Sequence, residues 1–280
     1  MARVYTGRAE MIALHKAYHG CQGYAAGITA IGKSTQPCYA SMFTGIAHME
    51  ANNLGQLENH IKYATGGQVA GFIAEPLQGY GGIHKLDDGY LRDAFDLVRR
   101  AGGVAISDEV QTGYNRCGET FWGFEMKNND AIPDMINIAK GMGNGVGVIG
   151  AVICKRSIAE AFCGKMFFNT FGANPTACAA ARGVLKAMDE DKTLENCAAM
   201  GKLFREKILP LTERYPQVFK EIRGSGLFQG LEIAGGEASQ GHAYEMHKRL
   251  KEYGVIAGRG SAMGNVFRIQ PPMCIEAHDV

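Results

Sequence analysis

The stretch from Val69 to Val110 constrains the fold most. "VAGFIAEP" has the length and apolar content of a buried strand and stops at Pro76. "DDGYLRDAFDLVRRAGG" then spaces Leu91, Ala94, Phe95 and Val98 on one helical face and ends at Gly102, and "GVAISDEV" repeats the strand pattern. Strand, helix and strand in this order make a β-α-β unit, with parallel strands, a right-handed crossover and ligands gathering beyond the carboxyl ends of the strands. Glu75 and Asp108 stand at two such ends. A third run, "DMINIA", is followed by Lys140, and a short glycine loop leads into "VGVIGAVICK". That loop is too short for a parallel crossover, so the fourth strand should run antiparallel.

The start, "MARVYTGRAEMIALHKAYHG", reads as the end of a helix leading into a strand. Beyond Asn174 the spacing predicts helices over "PTACAAARGVLKAMDED", with Pro175 in the first turn, and over "TLENCAAMGKLFREKILPLTERY". Strands at "FKEIRG" and "GLFQGLEIAG", a helix around "HAYEMHKRLKEYG" and a short strand "VFRIQPP" follow. The expected division is a large unit over 1–189 and a smaller α+β unit over 190–280.

Twenty-nine basic residues against 28 acidic ones, without long runs of either sign, favour neither a nucleic-acid nor an anionic-membrane partner; a small molecule fits better. The eight cysteines form no Cys-x-x-Cys pair and suit free thiols in a reducing compartment. No apolar stretch approaches a transmembrane span, and the first residues lack the apolar core of a secretory signal. The expected address is intracellular and soluble.

Two motif matches lack their structural setting. "GITAIGKS", Gly27 to Ser34, fits the P-loop pattern, but its flanks make a poor strand and, with Pro37, a poor helix start. "GVGVIG", Gly145 to Gly150, opens a strand where a dinucleotide fingerprint would open a helix. His15 and His19 lie four apart without the glutamate of a zinc-protease helix, which suits packing or cofactor contact better than metal. Lys140 is the sharper signal, because an ammonium at the end of an apolar run needs a partner, a surface exit or a task. Asp108 and Lys140 at adjoining strand ends could form a buried salt bridge or hold opposite sides of one cofactor.

Seven stretches settle the choice by resemblance: "AYHG" (17–20), "GFIAEPLQGYGG" (71–82), "ISDEVQTGYNRCGETFWGFE" (106–125), "PDMINIAKGMGNG" (133–145), "FFNTFGANPTACAAA" (167–181), "EIRGSGLFQGLEI" (221–233) and "FRIQPPMCI" (267–275). Together, and in this order, they resemble the class III aminotransferases that depend on pyridoxal 5'-phosphate, most of all the mitochondrial-type alanine–glyoxylate branch. The resemblance implies an α/β fold of type I, a mostly parallel sheet flanked by helices, with a partial small α+β domain after it. It implies that Lys140 bonds the cofactor aldehyde and later carries the substrate proton, and that Asp108 pairs with the pyridine nitrogen. Val110 would pack on one ring face, Tyr18 and His19 on the other, and Gln111 near the ring hydroxyl. Thr170 would reach a neighbouring subunit's cofactor phosphate, implying a homodimer. Arg268 would bind the substrate α-carboxylate, and Glu75 would pair with that arginine when no α-carboxylate is present.

The implied reaction moves an amino group from alanine or an ω-amino acid to an oxo acid such as glyoxylate or pyruvate, in the cytoplasm or mitochondrial matrix. An ω-amino acid transaminase, a phospholyase-like enzyme and a truncated non-catalytic homologue share the motifs. The family's N-terminal segment and its Ser/Thr-Gly-x-Glu-Ala-type phosphate loop have no counterpart here, and family members continue past "EAHDV", so the resemblance implies truncation at both ends. Asn115 replaces a usual glycine, which strains the turn if its φ is positive.

Overall fold

A computed structural model describes residues 1–31 and 43–280. Its larger sheet contains β1 (Met11–Leu14), β2 (Ile46–Met49) and β3 (Gly71–Ala74). After a small hairpin of β4 (Leu77–Gln78) and β5 (His84–Lys85) come β6 (Val104–Asp108), β7 (Met135–Ile138) and β8 (Ala151–Cys154). The order is β2-β1-β3-β6-β7-β8. Neighbours pair in parallel except β7 and β8, which are antiparallel, as the short connecting loop requires.

Both faces of this sheet are covered, the usual condition of parallel strands. Alternate residues divide between them. Ile12, Leu14, Phe72, Ala74 and Ala105 pack on one side with Leu91, Ala94, Phe95 and Val98 of the helix Tyr90–Arg100, the face expected from its spacing. Met11, Ala13, Ile73, Val104 and Ile106 pack on the other side with Ala2 and Ile158. The two expectations at the start also hold: a short helix, Ala2–Thr6, leads into β1. β2 was not anticipated, because Ile46, Ala47 and His48 are only half-buried and read as neither core nor amphipathic.

The second sheet comprises β9 (Phe219–Ser225), β10 (Phe228–Ile233), β11 (Gly258–Gly260) and β12 (Val266–Ile269), all antiparallel, in the order β11-β12-β10-β9. The helix Ser239–Glu252 supplies Ala243 to its core of Ile222, Leu231, Ile233 and Phe267. Phe228 joins this sheet to the first part of the chain by packing with Leu77, Ile83, Cys117 and Met126. The seven cysteines among the described residues are free thiols, as their spacing suggested. Among the described residues, no helix is long and apolar enough to cross a membrane.

Three backbones meet at one tight crossing. Gly201, in the helix Thr193–Arg214, lies so close to the β9–β10 turn that an added Cβ would sit 2.3 Å from the Gly226 carbonyl oxygen. Gly226, at φ +50°, is itself against the Cys117 backbone. Alanine would gain up to about 1 kcal/mol in helix propensity, but a backbone carbonyl cannot yield as a side chain can. The Gly201→Ala variant is therefore expected to lose about 1–2 kcal/mol net, read as a lower urea midpoint at unchanged slope.

Candidate active site

Sheet register assembles the site. Ala74 pairs with Ser107 and Asp108 with Asn137, so the carboxyl ends of β3, β6 and β7 are level, and Glu75, Asp108 and Lys140 emerge at one edge. β1 lies beside β3 and delivers Tyr18 and His19 to the same edge after a turn. A cavity of about 260 Å³ there is lined by Tyr18, His19, Glu75, Asp108, Val110, Gln111 and Lys140. Seven of the nine expected site residues thus converge.

Asp108 is buried and accepts from the Val110 amide at 3.1 Å. Its other oxygen lies 2.7 Å from His19 Nδ1. Among the described residues no salt bridge joins Asp108 to Lys140, so one reading left open by the spacing is not realised. Burial alone would lower the His19 pKa, but the hydrogen bond and charge of Asp108, with a contribution from Glu75, leave it raised. His19 Nε2 is buried without a hydrogen-bond partner. His15, by contrast, stacks on His48 with ring centroids 5.9 Å apart, away from the cavity lining.

Glu75 is 3% exposed, and its carboxylate accepts from the Tyr18 amide at 3.0 Å and the Gly79 amide at 2.9 Å. Burial lifts its pKa from 4.5 to about 7; the His19 charge and the two amides oppose that shift, and Asp108 adds to it. A carboxyl raised on folding stabilises fully below its unfolded pKa and loses that contribution as pH climbs through the folded value. The cost to the fold should therefore build up from about pH 4.5 and be complete above about pH 7, where it is on the order of 3 kcal/mol. Urea unfolding of Glu75→Gln beside the parent at pH 5 and pH 8 checks this. The difference should move in favour of the variant at pH 8, and an unchanged difference would contradict it.

Lys140 has a left-handed backbone, φ +42°, unusual for a residue with a Cβ and costing on the order of 1 kcal/mol. The turn that follows holds it there, since the Lys140 carbonyl accepts from Gly143 at 3.2 Å and Asn144 at 3.1 Å. Although the residue as a whole is exposed, the protein around its ammonium desolvates it and lowers its pKa. Asp108 and Glu75 oppose the shift, and Arg268 adds to it.

Arg268, on β12, does not line this cavity, though it is near enough for its charge to act on Lys140 and for Glu75 to act on it. Its guanidinium carbon is 5.4 Å from the centre of the Tyr80 ring, and its Nε is buried without a hydrogen-bond partner. Among the described residues no ion pair joins it to Glu75, whose oxygens are committed to backbone amides. Gln111 accepts a long, 3.5 Å bond from Gln270. Thr170 is exposed, in a segment where Met166, Phe167, Phe168 and Phe171 are exposed too, and it does not line the cavity. Lys33 and Ser34 of the P-loop match lie outside the described residues.

Two residues were missed. Tyr80 carries no sequence signal, since only the fold brings it under Arg268. Glu109 is 1% exposed and accepts from Ser107 and Thr112 hydroxyls and from the Gly123 and Phe124 amides, tying the loop after β6 to itself. An acid directly after Asp108 at a buried strand end was its available signal. Asn115 does adopt a positive φ, +63°, a conformation asparagine tolerates better than most residues, and its amide donates to Thr193 at 3.0 Å.

The whole chain, residues 1–280, matches the family described as aminotransferase class-III. It is 37% identical over 296 residues to the mitochondrial alanine–glyoxylate aminotransferase 2 homolog 2 of Arabidopsis thaliana, covering 100% of this chain and 60% of that protein. To the mitochondrial alanine–glyoxylate aminotransferase 2 of Homo sapiens it is 33% identical over 319 residues, covering 100% and 61%. The chain therefore spans about 60% of the length of these curated relatives. Among solved structures, an aminotransferase of Bacillus anthracis superposes with a TM-score of 0.88 at 27% identity, over 99% of this chain and 69% of that one. An amine transaminase from an uncultivated Pseudomonas species, in its PLP-bound form, gives 0.87 at 26%, again over 99% and 69%. With a full-length family match and an α/β fold shared with these structures, the chain belongs to the class-III aminotransferases.

Proposed function

We propose that this chain carries the catalytic centre of a pyridoxal phosphate-dependent transaminase that moves an amino group from an amino acid, alanine or an ω-amino acid, to an oxo acid such as glyoxylate or pyruvate. The observation that carries this reading is the convergence of Lys140, Asp108, Val110 and Tyr18 on one cavity. These residues suit the cofactor: an amine for its aldehyde, a buried carboxylate for its ring nitrogen, and an aliphatic and an aromatic side chain for its ring faces. When bound, pyridoxal phosphate supplies an aldehyde that condenses with amines and a ring that accepts electrons.

The protein's own groups do the rest. Lys140 Nζ, favoured in its neutral form by desolvation, takes the proton from the donor Cα. Asp108 keeps a proton on the ring nitrogen and is itself oriented by His19 and the Val110 amide. Arg268 binds the donor carboxylate, for which a planar bidentate fork suits better than an ammonium. Gln111 lies within the lining and is assigned to the ring hydroxyl. Glu75, held by the Tyr18 and Gly79 amides, braces both segments at the mouth.

Thr170 fits a role toward a neighbouring copy. It is flanked by Phe167, Phe168 and Phe171, 75%, 80% and 82% exposed, and a contiguous apolar surface of this kind favours a protein partner, here a second copy in a homodimer. The same reading divides the chain near residue 190 into a cofactor-binding unit and a smaller unit bearing Arg268.

A donor panel tests the reaction. The chain loaded with pyridoxal phosphate and offered alanine, β-alanine, 4-aminobutyrate and phosphoethanolamine should transfer nitrogen to glyoxylate or pyruvate. Turnover of phosphoethanolamine alone, releasing phosphate and ammonia, would overturn transamination.

A further inference from the structure

We infer that Glu75 is a positioning residue for the reaction: its carboxylate balances the charge of His19, so that Glu75, His19 and Asp108 together keep one net negative charge for the proton on the cofactor's ring nitrogen. This rests on the transaminase reading above and adds the group through which Asp108 keeps its charge.

Three features carry it. First, the acid is tied to the segment that bears the imidazole. Glu75 accepts from the Tyr18 amide at 3.0 Å and from the Gly79 amide at 2.9 Å, and Tyr18 immediately precedes His19. Second, His19 is fixed from two sides. Its amide donates to the Thr29 hydroxyl at 2.9 Å, which donates to the Gly20 carbonyl at 2.6 Å, and its Nδ1 lies 2.7 Å from Asp108. Nε2 is left buried with no hydrogen-bond partner among the described residues, so charge on the ring depends on neighbouring carboxylates. Third, Glu75, His19 and Asp108 line the same cavity, and against the effect of burial Asp108 and Glu75 both raise the His19 pKa.

Counting charges gives the consequence. An imidazolium in contact with Asp108 cancels that carboxylate and weakens its hold on a second cation, the protonated ring nitrogen. A carboxylate at position 75 restores the missing negative charge without itself being the partner of the ring. The other charged groups that act with Glu75 are Lys140 after β7, favoured as the neutral amine by desolvation, and Arg268 on β12.

The test compares the parent chain with Glu75→Gln, which removes the charge at nearly constant size, and Glu75→Asp, which keeps it. The first readout is the His19 pKa, by NMR titration of the cofactor-free chain. Glu75→Gln should lower it by about 0.5 to 1 pH unit, and Glu75→Asp should hold it within about 0.3 of the parent. In the parent, with no substitution at all, the Glu75 carboxyl carbon and the His19 ring should titrate as a coupled pair, each curve bending at the pKa of the other. The second readout is the single-turnover rate with alanine at pH 8 in the chain loaded with pyridoxal phosphate, expected to be about 10-fold lower in Glu75→Gln and within about 3-fold of the parent in Glu75→Asp. An unshifted His19 pKa in Glu75→Gln, equal losses in the two variants, or uncoupled curves in the parent would each overturn the assignment. If borohydride traps no cofactor on Lys140, the transaminase reading fails separately, and the His19 titrations still decide whether Glu75 balances its charge.

Discussion

Replacing Lys140 with alanine is expected to lower amino-transfer turnover by about 1000-fold or more while leaving the fold intact. In the proposed role two tasks fall on one nitrogen, bonding the cofactor and moving the Cα proton, and among the described residues no other lysine lines the cavity. The turn survives the change because it is held by the Lys140 carbonyl, through Gly143 and Asn144, and not by the side chain. Alanine also meets the same Cβ penalty at φ +42° as lysine does, so stability should shift by no more than about 0.5 kcal/mol. Single-turnover rates with alanine, alongside urea unfolding, separate the two effects. Activity within 10-fold of the parent would remove Lys140 from the chemistry.

Asp108→Asn should cost about 100–1000-fold in the same assay, since it keeps the shape of the side chain and removes its charge. Asparagine can still accept from the Val110 amide, but it could not hold a proton on a ring nitrogen as the proposed role requires of Asp108. His19 reports the change independently of turnover. Its raised pKa reflects Asp108, with a contribution from Glu75, outweighing burial, so in the variant the imidazole pKa should fall. An NMR titration of His19 reads this directly. An unshifted pKa would mean that the 2.7 Å contact carries little of the interaction assigned to it.

Much of this arrangement was legible before any coordinates, for physical reasons. Leu91, Ala94, Phe95 and Val98 announced the helix face because a crossover helix must bury one stripe, and "GVAISDEV" announced a strand because both faces of a parallel sheet are covered. Once β3, β6 and β7 were parallel neighbours, the polar residues after them had to meet at one edge, so Glu75, Asp108 and Lys140 followed. What stayed hidden depends on contacts between distant segments. Arg268 and Tyr80 are far apart in the chain, and only the docking of the second sheet, through Phe228 and the Gly201–Gly226 crossing, stacks one on the other. The Glu75 carboxylate could not be assigned from sequence either, because its partners are backbone amides, which every residue but proline has. β2 escaped because its strand is short and its side chains half-buried.

The central claim is that Lys140 is the amine that holds the cofactor. Its most direct test is to incubate the folded chain with pyridoxal phosphate, reduce with borohydride, digest, and map the modified peptide by mass. The account predicts a single reduced adduct at Lys140, lost in Lys140→Ala. Modification scattered over surface lysines such as Lys16 and Lys155, with none at Lys140, would contradict it.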